Sequence, residues 1–195
     1  MKLTPIVQKV LQSKGIVAQE EIQNLLVPSQ LKHDPFLLSD MQKTVDRINH
    51  ALDKKERILV YGDYDADGVT STSILVTALR ELGAEVGWYI PNRFTEGYGP
   101  NEAAFKNAAD EGIDLIITVD NGIQGHHEME VAKSLGIDVI VTDHHEIGET
   151  LPDAYAIVHP MHPEFDYPFK YLSGAGVALK IAPVSYTHLT LPTTP

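Results

Sequence analysis

Asp63, Asp65 and Asp67 occupy alternate positions in the stretch Val60-Tyr61-Gly62-Asp63-Tyr64-Asp65-Ala66-Asp67-Gly68-Val69. Three carboxylates held this close repel one another, which makes the loop a poor structural device by itself. A divalent cation removes the repulsion, since hard cations prefer oxygen ligands. The plain alternative is a solvated acidic turn. A second alternative is an EF-hand calcium loop, which needs a Glu at its twelfth position and a helix in front of it. Counted from Asp63, the twelfth residue is Ile74 and the preceding residues read as a strand, so the EF-hand is excluded.

Two further stretches offer matching chemistry. Asp120 directly follows Val119, and Asp143-His144-His145 follows Val141 by one residue. A lone Asp at a strand end is ordinarily a helix cap, and a lone His pair an accident of the surface. Their meaning depends on the elements that place them. The apolar run 58–61 predicts a buried strand, behind which Val69, Ile74, Leu75, Ala78, Leu79 and Leu82 recur at helical spacing. Residues 85–90 predict the next strand, 101–109 a helix ended near Gly112, and 114–119 a nearly continuous apolar strand. Residues 128–135 read as a helix closed by Gly136, and 137–141 as another buried strand. Strand–helix–strand units with Val/Ile-rich strands predict an α/β fold, a parallel sheet with helices on both faces. Ligands of such sheets collect outside the carboxyl ends of the strands. The rule brings loops 63–68, 120–122 and 143–145 to one edge, where a metal site explains them better than three unrelated accidents. Carboxylates mixed with neutral imidazole suit Mn²⁺ and admit Mg²⁺, whereas zinc sites draw more on His and Cys. Two ions about 3.5–4 Å apart, bridged by a carboxylate, would polarise a phosphoryl group and generate a hydroxide nucleophile.

Composition narrows the setting. The 195 residues are 43% hydrophobic and 22% charged, enough for one sizeable core. No apolar run approaches the roughly 18 residues of a membrane span, and Met1-Lys2-Leu3-Thr4-Pro5 lacks the apolar region of a signal peptide. With no cysteine, disulfides and thiolate metal sites are excluded and a cytoplasmic location is the expectation. The net charge of −12 argues against a broad phosphate-binding surface, so with a nucleic acid this chain would supply chemistry more than grip. Residues 1–54 predict a helical N-terminal segment of three short helices without evident chemistry, in which His33 and Asp34 beside Pro35 read as turn residues. His126, His127, His159 and His162 have no partners at suitable spacing and read as surface residues.

Taken in order, the loop 63–68 with Val69-Thr70-Ser71, then Ile90-Pro91-Asn92-Arg93 with Glu96-Gly97-Tyr98-Gly99, Val119-Asp120-Asn121-Gly122, Asp143-His144-His145 and Ser173-Gly174-Ala175-Gly176-Val177 resemble the DHH phosphoesterase superfamily. Within it, they resemble the single-strand-specific 5′→3′ exonucleases. The resemblance spans residues 11–182 and is specific in combination. It implies a Rossmann-like DHH domain over residues 55–182 that hydrolyses phosphodiesters of single-stranded DNA with water and Mn²⁺ or Mg²⁺, in recombination and repair. It further implies that Asp65, Asp67, Asp120 and His144 are metal ligands with Asp63 beside them. His145 would contact the scissile phosphate, and Asp143 would orient the imidazoles from behind. Arg93 and Tyr98 follow the second strand, so the edge rule brings them near. Arg93 could hold a phosphate bidentately and Tyr98 could stack on a base; alternatively Tyr98 packs inward and Arg93 is solvated. Gly174 and Gly176 lie in a Gly-rich turn whose amides could hold a phosphate.

Residues 183–195 are Thr/Pro-rich, show no periodicity and depart from the family pattern. The family continues instead into another metal-binding Asp, a second substrate-binding domain and an oligonucleotide-binding barrel. The expectation is therefore a catalytic piece with a foreign end, whose missing C-terminal domains carry most of the DNA binding. Two other functions fit the same acidic loops: a DHH phosphodiesterase for short oligonucleotides or cyclic dinucleotides, and a non-catalytic nucleotide-binding domain.

Overall fold

The structure, a computed structural model, describes residues 3–26 and 33–189, the last seven as backbone. It divides into two compact units, residues 1–34 and 35–195. The first holds α1 (Pro5–Ser13) and α2 (Gln19–Leu26). Thr4 caps α1 by accepting from the Val7 amide, and Pro5 opens it, where a missing N–H costs nothing.

The second unit begins with a single 3₁₀ turn (Pro35–Leu37) and α3 (Met41–Lys54). There follow β1 (Arg57–Tyr61), α4 (Ala66–Glu81), β2 (Glu85–Tyr89), α5 (Glu102–Asp110), β3 (Leu115–Val119), α6 (His126–Ser134), β4 (Asp138–Thr142), β5 (Ala156–Val158) and α7 (Gly174–Leu189). The five strands form one sheet in the order β2-β1-β3-β4-β5, and every pairing is parallel. Alternation along β3 shows how the layers arise. Leu115, Ile117 and Val119 face a core shared with α3, α4 and α7, while Ile116 faces a second core built with Phe105 of α5 and Met129 of α6. Both faces of β3 are covered, so all five of its residues are buried and the strand reads as an unbroken apolar run. Burying each such Leu or Ile contributes roughly 1.5–3 kcal/mol.

The compact units part after Asp34, and α3 belongs to the sheet's own core. The cause is the amphipathic face Val45, Ile48 and Ala51, which packs in one cluster with Ile58 and Val60 of β1. The three-residue β5 is an added strand, too short to announce itself by periodicity. Helix α7 passes Ala182 and runs to Leu189. Once its first turns are anchored, elongation adds a hydrogen bond per residue and needs no apolar stripe, although Pro183, with no N–H, contributes none. The rest of the expected foreign end, residues 190–195, lies outside the described residues.

The strand order reverses direction between β1 and β3. A doubly wound sheet opens its crevice at that point, outside the carboxyl ends of the two strands. Asp63 follows β1, Asp120 follows β3, and the chemistry gathers there.

Candidate metal centre

Asp63 leaves β1 and is 2% exposed, with its Oδ1 atom buried and without a hydrogen-bond partner. Gly68 makes this position possible, because a Cβ there would lie 2.5 Å from the Asp63 carbonyl oxygen. Asp65 is the N-cap of α4: its Oδ1 accepts from the amides of Asp67 at 2.8 Å and Gly68 at 3.0 Å. The Thr70, Ser71, Thr72 and Ser73 hydroxyls that follow each donate to a carbonyl one turn back, so this polar run is satisfied within the helix.

Asp67 turns the other way. Its carboxylate accepts from the amides of Gly174 at 2.7 Å and Ala175 at 2.8 Å, clamping the first turn of α4 to the start of α7. The Gly176 amide donates to Ser173 Oγ at 3.2 Å. The amides expected to hold a phosphate are thus engaged inside the protein. A carboxylate at a helix N-terminus satisfies the same orphan donors and meets the same positive end of the dipole. Gly174 has a different use: a Cβ there would stand 2.5 Å from Asp120 Oδ1.

Asp120 sits at the end of β3 with φ 63° and is 2% exposed. Its Oδ1 lies 3.0 Å from His144 Nε2, which is also 3.5 Å from Asp67 Oδ2. Burial first, then the charge of Asp67, pushes the Asp120 carboxyl up to about 7. Burial and then the charge of Asp65 also raise Asp63. Asp143, fully buried, accepts from the His145 ring at 2.7 Å and from the His144 and His145 amides through Oδ1, and from the Ile123 amide through Oδ2. Burial opposes its ionisation, but the His145 ring and those amides together hold it below the usual carboxylate range. That hydrogen bond in turn raises His145.

The ligand atoms fall into two groups, each within 4.8 Å: Asp63, Asp65 and Asp120, and Asp120, His144 and His145. Asp120 belongs to both. A buried carboxylate oxygen without a donor, beside two more carboxylates, is an arrangement that a divalent cation completes. Asp67 is drawn to α7 and reaches the groups through His144, while Asp143 stands behind the imidazoles.

Tyr98 is tied inward at its hydroxyl yet remains open to solvent. Its hydroxyl donates to the Asp120 carbonyl at 3.2 Å and lies 3.1 Å from His145 Nδ1, while the residue stays 53% exposed. Arg93 is exposed, with its guanidinium 5.2 Å from the centre of the Tyr64 ring in the acidic loop. Glu96 fixes the intervening loop by accepting from the Asn92 amide at 2.7 Å, the Asn101 side chain at 3.2 Å and the Tyr89 hydroxyl.

Two of the histidines expected at the surface are buried: His159 at 0% and His162 at 6% exposure. His162 Nδ1 accepts the Glu164 amide, and His159 reaches the carbonyl of His145. The signal overlooked was the triplet Ala156-Ile157-Val158 before His159, which places that residue at the carboxyl end of a fifth strand. His126 and His127 are exposed as expected, His127 paired with Glu102 at 3.0 Å.

Fold and site together define a doubly wound α/β domain with an acid–imidazole centre at its switch point. Residues 57–193 match the DHH family, N-terminal domain, and the chain belongs to the DHH family. It is 51% identical over 183 residues to the single-stranded-DNA-specific exonuclease RecJ of Bacillus subtilis, covering 93% of this chain and 23% of that protein. With the Escherichia coli protein of the same name it shares 41% over 181 residues, covering 91% of this chain and 30% of that one. The crystal structure of an exonuclease RecJ bound to manganese matches 80% of this chain and 39% of its own at 41% identity, with a TM-score of 0.71. The chain therefore spans 23–30% of the length of these curated relatives.

Proposed function

We propose that this chain carries the hydrolytic chemistry of a 5′→3′ exonuclease acting on single-stranded DNA in recombination and repair, in the cytoplasm. The observation that carries the reading is Asp120, shared between the Asp63–Asp65 carboxylates and the His144–His145 imidazoles. Asp63, Asp65, Asp120 and His144 would hold one or two Mn²⁺ or Mg²⁺ ions, with Asp67 adjoining through His144. This donor set suits hard and borderline divalent cations, and both RecJ relatives are named for action on single-stranded DNA. Such ions, when bound, neutralise charge on a phosphodiester and lower the pKa of water.

The chain's own residues do the remaining work. Asp143 accepts a hydrogen bond from the Nδ1–H of His145 and holds the ring, so that in the protonated imidazole Nε2–H is left to donate to a phosphate oxygen on which charge develops. Tyr98 steadies the same ring and offers its exposed face to a base. Arg93 supplies a planar fork for a neighbouring phosphate. Gly174 gives Asp120 its room, and the amides of Gly174 and Ala175 hold Asp67. Water is the acceptor, and no residue becomes covalently attached.

The test is cleavage of a 5′-phosphorylated oligonucleotide with the protein in excess. Stepwise release of 5′-terminal mononucleotide with Mn²⁺, none with EDTA and little from blunt duplex is the expected result. Cleavage in EDTA, or internal cuts from the outset, would contradict it.

A further inference from the structure

His159 is a fully buried imidazole that the chemistry above does not use. It stands one residue beyond β5 and is held on three sides. Its backbone amide donates to Ser39 Oγ at 2.9 Å, and that hydroxyl donates to the Ile157 carbonyl at 2.6 Å. The next residue, Asp40, accepts the Ile157 amide at 2.9 Å. Residues 39 and 40 thus strap the end of β5 in place before the ring is considered.

The ring's two contacts fix its protonation by elimination. Nδ1 lies 3.0 Å from the Met161 amide, which can only donate, so Nδ1 must present its lone pair. Nε2 lies 2.9 Å from the His145 carbonyl, which can only accept, so Nε2 must carry the proton. A doubly protonated ring would set one N–H against another. The His145 carbonyl belongs to the loop 143–145, which Asp143 holds from the opposite side through the His144 and His145 amides. One hold acts on the amides of the loop and the other on the carbonyl that leaves it. Between these holds the two rings stand with centres 4.5 Å apart, one toward Asp120 and the other toward Asp143.

We propose that His159 is a positioning residue of this centre: its Nε2–H holds the His145 carbonyl and so fixes the peptide plane that aims the His144–His145 pair. The inference rests on the proposed function for what the pair is aimed at. It does not depend on it for the hydrogen bond itself. A packing role alone would require only volume at this position, whereas a positioning role requires the donor.

The experiment uses the whole chain and Mn²⁺ alone as probe. Long-range ¹H–¹⁵N correlation spectra of the histidine rings should show His159 as a neutral, Nε2-protonated imidazole; an Nδ1-protonated or doubly protonated ring at neutral pH overturns the proposal. Calorimetric titration then compares His159→Leu, which keeps bulk and loses the donor, with His159→Gln, whose amide reaches the place of Nε2. Loss of an outer hold on metal-site residues costs about 10–100-fold in affinity, so the Leu variant should weaken Mn²⁺ by roughly tenfold or more and the Gln variant by less than roughly threefold. Equal Mn²⁺ affinity in wild type and the Leu variant overturns the proposal, and so does a Gln variant as weak as Leu. If the Leu variant fails to fold, His159→Asn replaces it, since its shorter amide can meet Met161 but not the His145 oxygen. A wild-type chain that binds no Mn²⁺ overturns the metal reading instead, and the ring spectrum then decides the role of His159.

Discussion

Adjacent histidines in the 143–145 loop have different neighbours and should fail differently. His144 Nε2 faces Asp120 and Asp67, so His144→Ala should lower Mn²⁺ affinity together with rate. His145 is held by Asp143, so His145→Ala should leave affinity nearly unchanged and slow cleavage about 10²–10³-fold, the usual loss for a donor to developing charge. Calorimetry beside single-turnover cleavage separates the two; equal losses of metal would refute the division of roles. The carboxylates predict a pH response. Asp120 is held up to about 7, first by burial and then by Asp67, against an ordinary value near 4. The folded chain therefore binds more protons than the unfolded chain across that window, so stability from this group is present below it and lost as pH rises through it. Asp63, raised by burial, acts in the same direction, and His145, raised by its bond to Asp143, does so above its ordinary 6.5. Asp143, held low, matters only below the carboxylate range, where its contribution is lost as pH falls. Metal-free protein should melt higher at pH 5 than at pH 8, and Mn²⁺ should reverse that order because protons compete for its ligands. Scanning calorimetry at both pH values checks this. Alternating Asp residues announced the acid cluster in the sequence. The division of labour did not show, because Asp65 caps its own helix while Asp67 reaches amides more than 100 residues away.

At the scale of elements, the centre depends on α4 and α7 meeting at their N-termini. Gly174→Ala should disturb both Asp120 and the Asp67 clamp, because the new Cβ would stand within 2.7 Å of three Asp120 side-chain atoms. We expect a lower melting temperature and a smaller Mn²⁺-induced rise; an unchanged rise would show that α7 plays no part in shaping the centre. At the opposite end of the sheet, Arg47 of α3 donates to Asp138 at 2.7 Å and Glu56 at 2.6 Å and is 7% exposed. Arg47→Met should destabilise the fold by about 2 kcal/mol through lost charged hydrogen bonds, and leave the metal response intact. Urea unfolding with and without Mn²⁺ measures both. The long strands and helices were legible from apolar period and closing glycines. The membership of α3 in the core, the short β5 and the reach of α7 were not, because each is decided by partners distant in sequence.

For the whole molecule, the net charge of −12 limits how DNA can be held. Single-stranded DNA should bind weakly and with a shallow salt dependence, corresponding to fewer than about three neutralised phosphates. Tight duplex binding by this chain would contradict that. Among the described residues no helix is long and apolar enough to cross a membrane, in keeping with the composition. Parallel topology and the edge rule are enough to bring three loops together from sequence, since a doubly wound sheet has one carboxyl edge. What they could not supply was the inward-facing set that holds the edge rigid: Ser39, His159 and the carbonyl of His145. The most direct test of the central claim is thermal unfolding of wild type and Asp63→Asn with EDTA and with Mn²⁺. Asp63 keeps a buried, partnerless carboxylate oxygen, so an amide of the same shape should raise the metal-free melting temperature by removing an unpaired charge. Wild type should gain stability as RT ln(1 + [Mn²⁺]/Kd), and Asp63→Asn should gain little. Identical melting of wild type in EDTA and Mn²⁺, or an undiminished Mn²⁺ rise in Asp63→Asn, would contradict the account.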